Sequence, residues 1–435
     1  MNTARVCYII YGEEIWSPLL RRQVVELLET AVQLDKQLTV RLLYIIPWYW
    51  SFTKRKKLEN FIQNFRADAI DLRVVRLPYP FPFPYFLPKY VKGRGFRPYE
   101  THSGFTFWLV QLLVLPLLIK YALIDKYRIF HARSYRASAL VLPLRRLTNR
   151  VALVFDPRSD YPEENLIQSA WERTGFSFRY WKRKERNLLK YASTTICISD
   201  YYQHHFQTIY PGLFWDIIPN NVDCARFRFN PDERRQIRAA YGLQDKLVFC
   251  YLGTMSTQSW HNPTIYAQLI RQFEVTKPNH LFLFLVPADT RSVIESVFDK
   301  VAIDRSSYLI ISPDYEDIPK FLSAADFGLL YLQQPKIALG TKIVEYTAVG
   351  LPVLVNSNII SAAVYVEKYR AGKVIDIGLG GLDVEKASLQ TLDLTELRRS
   401  YSSELIAKQT ELLFSNKTVA QSYINIYQRL SPGLN

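Results

Sequence analysis

The sequence predicts an α/β protein built as two doubly wound parallel-sheet domains. Three observations lead there. Short apolar runs alternate with amphipathic stretches of helical period, the pattern of strand–helix–strand units. That alternation runs to about residue 210, breaks at Trp215–Asp223, and starts again at Lys246. The chain has 435 residues, too long for one ordinary core and suited to two domains of about 200 residues each.

The first strand is predicted over Arg5–Ile10 and ends at Tyr11-Gly12, with a helix following over 18–34. A strand, a glycine turn and a helix in that order make a ligand-facing loop at the carboxyl end of a parallel strand. Strands follow at 38–46 and 71–77, with a basic amphipathic helix over 53–66 between them. Prolines exclude residues 78–98 from regular structure. The aromatics of that segment, with Lys89, Lys92, Arg94 and Arg97, form either an interfacial patch for anionic lipid or a loop packed on its own domain. Residues 105–123 are almost wholly apolar, which suits a buried helix or a membrane span; a span needs about 20 apolar residues.

A strand ending in His131-Ala-Arg133-Ser134 comes next, then a helix over 137–147. The strand Val151–Phe155 leads into Asp156-Pro-Arg158 and Glu163-Glu164. A basic helix over 178–191 precedes the strand-like run 192–199. The expected domains are 1–213, 214–412 and a terminal helix, 413–435, crossing back to the first. In the second domain, strands are predicted at 246–252, 280–286, 308–312, 327–332, 352–356 and 374–377. Helices are predicted at 262–273, 290–300, 318–324, 392–414 and 418–430.

Composition narrows the function. Hydrophobic residues make up 49% and charged residues 22%, a globular rather than disordered balance. The net charge of +15 implies an anionic partner: nucleic acid, an acidic membrane surface or a phosphorylated substrate. No nucleic-acid reader motif accompanies the charge. Its clusters, at Lys54–Lys57, Arg145–Arg150 and Arg179–Arg186, all lie in the first half. Cys7, Cys197, Cys224 and Cys250 are far apart, with no metal or disulfide spacing, which points to a reducing, cytoplasmic setting.

Residues 338–353 carry the strongest chemical signal. Gly340 and Thr341 open a helix, Gly350 stops it, and Pro352 forbids its continuation. A glycine-started helix N-terminus offers unpaired N–H groups and partial positive charge to a phosphate, and Lys342 adds a full charge. Glu345, one turn in, can accept from both hydroxyls of a ribose. Phosphate and diol together describe a nucleoside diphosphate; an ordinary surface Lys–Glu pair is the plainer reading.

The order of segments resembles the GT-B-fold glycosyltransferases, specifically the glycosyltransferase family 4-like group. Phe130-His-Ala-Arg-Ser134, Phe155-Asp-Pro-Arg158 with Pro162-Glu-Glu164, and Tyr191 to Ser199 carry it in the first half. Ile218-Pro-Asn-Asn-Val-Asp223, Tyr251-Leu-Gly-Thr254, Ile318 to Asp326, and Thr341-Lys-Ile-Val-Glu-Tyr346 with Gly350-Leu-Pro-Val353 carry it in the second. The resemblance implies two Rossmann-like domains facing a cleft and hexosyl transfer from a nucleotide sugar, with retention, no required metal and no cofactor. It places the donor at Gly253, Thr254, His261, Gly340, Thr341, Lys342, Ile343 and Glu345, with Ser312 to Tyr315 near the base. It places Gly12, Asp156, Arg158 and Glu163 on the acceptor side and His131 and Arg133 near the reacting centre. Core packing for His131 and surface ion pairs for Arg158 and Glu163 are the plainer alternatives.

Two departures stand out. Ile337 occupies the position where many members carry a glutamate toward the donor sugar. Thr254 and Trp260-His261 stand where a basic pair is expected. With the charge concentrated in the first half, the acceptor is expected to be a glycan or a polyprenyl-diphosphate-linked sugar. The chain would then sit peripherally on the inner face of an anionic membrane, in cell-surface polysaccharide assembly.

Overall fold

The structure, a computed structural model, describes residues 4–47, 50–65, 67, 69–77, 104–167, 171–257, 259–276, 279–337, 339–376 and 392–431. The proline-rich segment 78–98, with the lipid-facing residues expected there, lies outside them.

Strands β1 (Arg5–Tyr11), β2 (Thr39–Ile46), β3 (Ile70–Arg76), β4 (Ile129–Arg133), β5 (Ala152–Asp156), β6 (Thr194–Cys197) and β7 (Trp215–Ile217) form a parallel sheet in the order β3-β2-β1-β4-β5-β6-β7. Strands β8 (Leu247–Leu252), β9 (His280–Leu285), β10 (Tyr308–Ile311), β11 (Phe327–Leu330), β12 (Val353–Val355) and β13 (Gly372–Val374) form a second, ordered β10-β9-β8-β11-β12-β13. Both are doubly wound. The central strands are buried on both faces, which is why they read as unbroken apolar runs rather than alternating ones. In β8, Val248 and Cys250 face one core cluster, and Phe249 and Tyr251 face another.

The chain divides into two compact units. One holds residues 1–197, 205–218 and 420–435; the other holds 198–204 and 219–419. In each sheet the strand order reverses at one place, between β1 and β4 and between β8 and β11. Ligands of open α/β sheets sit outside the carboxyl ends of the strands at such a reversal.

Several local features differ from the sequence reading. The helix predicted over 18–34 contains a π-helical stretch, Arg21–Glu26, that carries Arg22 and Gln23 into the interior. The predicted helix over 392–414 is two, Leu394–Arg399 and Ser403–Phe414, because the Ser402 hydroxyl accepts from the Leu405 N–H and caps a new start. A helix at Pro231–Ala240 was not foreseen, although Asn230 caps it and Pro231 occupies its first position.

The apolar stretch is a helix, Phe105–Leu123, with one face in the core of the first unit through Phe107, Val110, Val114, Leu118 and Tyr121. No helix among the described residues is long and apolar enough to cross a membrane.

Candidate functional site

In the second unit, the reversal between β8 and β11 is held open by one side chain. The two strands pair only through Phe327–Phe249 and Gly328–Cys250. Beyond that point the Tyr346 hydroxyl enters the gap. It accepts from the Leu252 N–H at 2.7 Å and donates to the Leu329 carbonyl at 3.2 Å. Its ring lies so close to Gly328 that a Cβ there would meet it at 2.6 Å. This wedge fixes the helix Thr341–Ala348 against the strand ends. Gly340, at φ +82°, begins the helix with no side-chain cap, so its first-turn amides are open to an anion. The helix stops at Gly350, φ +71°, where a Cβ would strike the Ser403 carbonyl oxygen at 2.4 Å.

Lys342 runs back from the helix start over Gly253. A Cβ on Gly253 would meet the Lys342 Cε at 2.6 Å, and its φ of +114° also excludes other residues. The Gly253 amide donates to the Leu285 carbonyl, so this loop supplies room for the lysine rather than a donor for phosphate. The Lys342 amine lies 2.9 Å from His261 Nε2 and over the Tyr251 ring. Burial lowers its pKa to about 7, against the raising pull of Glu345 and with the help of Lys336. His261 is held neutral, pushed down to about 2 by burial and then by the two lysines. Lys336, which sequence reasoning missed, lies 4.8 Å over the Trp260 ring. The pair standing where basic residues were expected therefore holds a lysine each. No spacing signal announces this, because the partners lie 76 to 81 residues on, Lys336 in a loop and Lys342 at a helix start.

Glu345 is buried one turn into the helix, and Ile343 is buried beside it, offering only backbone. Thr254 is exposed, with its carbonyl tied to the Tyr251 hydroxyl. Ser312 to Tyr315 follow the end of β10, where Tyr315 packs on Phe227 and under Arg226.

In the first unit, three adjacent strands leave the sheet through left-handed residues: Gly12 after β1 (φ +66°), Ser134 after β4 (φ +73°) and Arg158 after β5 (φ +59°). Two are not glycine, and such strain persists where the surroundings over-determine it, commonly at functional sites. A cavity of 220 Å³ opens here, lined by Gly12, Glu13, Ser134, Arg136, Ser159 and Tyr161 among others. Glu13 binds Arg133 Nε at 3.2 Å through one oxygen, while its other oxygen and Arg133 Nη1 are buried without a hydrogen-bond partner. Arg133 Nη2 donates to Gln23 at 2.8 Å, so the π-helical stretch completes this cluster.

His131 and Asp156 are fully buried, in keeping with the core-packing alternative for His131. His131 Nδ1 lies 2.7 Å from the Tyr427 hydroxyl and Nε2 3.3 Å from Asp156. Burial lowers the histidine pKa and outweighs Asp156. Burial alone would raise Asp156, but Arg158 and His131 hold its carboxyl down at about 2. Arg158 also binds Tyr423. These groups tie the ends of β4 and β5 together, with His131 and Asp156 buried and Arg158 partly exposed. Glu163 is a surface ion-pair partner of Arg173 and Lys182; of the four acceptor-side residues expected, Gly12 alone lines the cavity. Sequence reasoning missed Glu13, Ser134, Arg136 and Tyr161, though their place within five residues of strand ends was a usable signal.

Among the described residues, no group of three or more His, Cys, Asp or Glu could hold a metal ion. No family model and no curated protein sequence matches the chain. Solved structures do. HepE of Anabaena, in complex with UDP, aligns over 98% of this chain and 100% of its own with a TM-score of 0.64 at 13% identity. A sucrose-phosphate synthase of Thermosynechococcus elongatus aligns over 98% and 99% with a TM-score of 0.68 at 13% identity. The chain has the GT-B fold. At these identities the likeness is one of architecture. The same GT-B architecture is shared by the N-terminal domain of a trehalose-6-phosphate phosphatase from Candida albicans, over 98% and 97% with a TM-score of 0.62 at 10% identity.

Proposed function

We propose that the chain is a glycosyltransferase of the family 4-like type, moving a sugar from a nucleotide-diphosphate donor to a glycan or lipid-linked acceptor. The observation that carries this reading is the uncapped Gly340-started helix, with Lys342 laid over Gly253 and Glu345 one turn in, at the strand reversal of the second unit. In transfer, the anomeric C–O bond to the diphosphate breaks and its electron pair goes to the phosphate oxygen. The helix amides, Lys342 and Lys336 oppose that charge from fixed positions, the kind of stabilisation worth most in a dry site. The acceptor hydroxyl forms the new bond, and its proton leaves with the departing diphosphate. Independence of metal fits two cations and a helix end at the diphosphate; retention rests on the resemblance alone. HepE was solved with UDP, which makes a uridine nucleotide the first donor to try. The charge in the first half and the four free cysteines suit a peripheral enzyme on the cytoplasmic side of a membrane, in cell-surface polysaccharide assembly.

The second reading is a catalytically silent GT-B protein that binds nucleotide or glycan or scaffolds an assembly complex. Ile337 favours it, since the sugar end lacks a carboxylate there.

Donor hydrolysis and transfer, followed across UDP-, GDP- and ADP-sugars with and without chelator, separate the two. Turnover is expected with one nucleotide class and unchanged by chelator. Glu345→Ala removes charge-assisted hydrogen bonds worth about 1.5–3 kcal/mol each, so the donor KM rises about 10- to 100-fold. Nucleotide binding without turnover in the wild type assigns the silent reading. Full turnover at low donor in Glu345→Ala overturns the donor-site assignment.

A further inference from the structure

The first unit carries a surface that its fold does not explain. The helix Phe105–Leu123 buries one face, yet its outer face is also apolar. Trp108 is 49% exposed, Leu112 45%, Leu113 48% and Leu123 60%, and Ile124 just beyond is 70% exposed. Lys120 is the one charged residue of the described outer face. A surface helix of a globular protein ordinarily turns polar residues outward. An apolar face of this kind marks an interaction site.

Beside it lies a basic basin of 630 Å³, lined by Arg146, Tyr180, Arg183, Lys184, Arg186 and Asn187. The two surfaces adjoin: Lys184 donates to Gln111 of the apolar helix at 3.2 Å, and Gly104 at its start lies against Phe176. The basin belongs to the helix Phe176–Tyr191, whose exposed positions Arg179, Arg183, Arg186 and Lys190 recur at i, i+4, i+7 and i+11. They form a continuous cationic stripe. The helix's one acid, Glu185, is turned inward and buried, accepting from Tyr135, Tyr210 and Lys182, so nothing on the stripe neutralises it. Lys184 sits between the others with its pKa lowered to about 8 by burial, Arg146 and Arg183. An anion entering the basin would relieve that repulsion.

We propose that this face docks the chain onto an anionic phospholipid surface, the outer side of Phe105–Leu123 entering the acyl boundary and the Arg146–Arg183–Lys184–Arg186 basin taking phosphate headgroups. Charge complementarity selects the occupant. A cationic stripe beside an apolar helix with an exposed Trp matches the layered chemistry of a bilayer interface. A second copy of the chain would bring the same positive charge against itself. The inference deepens the reading above in one respect, by naming where a lipid-borne acceptor is met; its physical basis is separate.

The test is flotation of the full chain with phosphatidylcholine vesicles and with vesicles containing 30% phosphatidylglycerol, in the absence of any sugar donor. Binding is expected to the anionic vesicles alone and to weaken in 0.5 M salt. Arg183→Glu/Arg186→Glu and Trp108→Ser/Leu112→Ser change exposed positions, and each pair is expected to lower binding at least tenfold with unchanged circular dichroism. Equal binding to both vesicle types, or unchanged binding in both variants, overturns the proposal. So does a dimer in sedimentation that Trp108→Ser/Leu112→Ser converts to monomer, because the face would then be a protein interface. A chain that binds vesicles but turns over no donor refutes sugar transfer alone. One that glycosylates a soluble acceptor but ignores vesicles refutes docking alone.

Discussion

At the scale of single residues, the proposed donor site predicts a pH dependence for nucleotide-sugar binding, set by the Lys342–His261 pair. The free Lys342 amine titrates near pH 7 because burial and Lys336 oppose its charge. A bound diphosphate favours the charged form and raises that pKa. Below pH 7 the amine is protonated with or without ligand, and affinity is level. Above pH 7 binding must take up a proton, so affinity falls as pH rises, by up to tenfold per unit. A nucleotide sugar is the right probe, because its diphosphate diester does not itself titrate in this range. Calorimetry between pH 6 and 8.5 should show the decline, with proton uptake revealed by changing the buffer. Lys342→Met should bind more weakly and without the slope; a wild-type affinity level across this range would remove Lys342 from the phosphate. The pairing itself was not legible. Glu345, Lys342 and Gly340 could be read because they share one helix start, whereas Trp260 and His261 looked like lost cations. A side chain that holds a charge supplied by a distant loop has no spacing to betray it. For His131 the sequence left a place near the reacting centre and core packing both open. Its strand-end position was read correctly, but burial depends on Tyr423 and Tyr427, nearly 300 residues away.

Single elements were legible where one physical cause dominated. The central strands of both sheets are apolar runs because both their faces are covered, and the predicted strand bounds fall within a few residues of those observed. The π-helical stretch Arg21–Glu26 has no comparable signature, since its register depends on what Gln23 meets inside. The Tyr346 wedge shows how an element acquires its position. Tyr346→Phe keeps the ring but leaves the Leu252 N–H buried without an acceptor, at a cost of about 1–3 kcal/mol. Gly328→Ala drives a methyl to 2.6 Å from the same ring, overpacking that costs about 1–3 kcal/mol. Urea unfolding should show both losses at unchanged m. Both variants should also raise the donor KM, because the amides of Thr341–Ala348 shift with the ring. A destabilised variant with unaltered nucleotide affinity would separate the wedge from the donor site.

At the scale of the whole molecule, two doubly wound sheets could be read from periodicity alone, because each repeats the same strand–helix unit and a second start is visible after Trp215–Asp223. Periodicity does not say where the terminal helix, expected to cross back, leaves one unit for the other, because that depends on contacts across hundreds of residues. The last helix, Asn416–Leu430, begins in the second unit, and from Ala420 onward its residues belong to the first. Tyr423 and Tyr427 are fully buried there, Tyr427 against His131 and Tyr423 against Arg158. Arg429 binds Asp216 at the end of the same sheet. Deleting residues 420–435 therefore removes two buried aromatics, each worth about 3–5 kcal/mol by the usual cost of truncating such a side chain. It also uncovers a neutral histidine and a carboxylate held in place by Arg158. Together these losses, about 6–10 kcal/mol, are comparable with the stability of an ordinary domain, about 5–15 kcal/mol. The first unit should lose its cooperative unfolding transition and its amide-exchange protection, while the second keeps nucleotide binding. In the full-length chain, Tyr423→Phe/Tyr427→Phe preserves the packing and removes only the hydroxyl partners, so a partial loss of about 1–3 kcal/mol per orphaned group is expected. A truncated chain that melts as the full one does would show that the terminal helix merely covers the first unit and does not complete it.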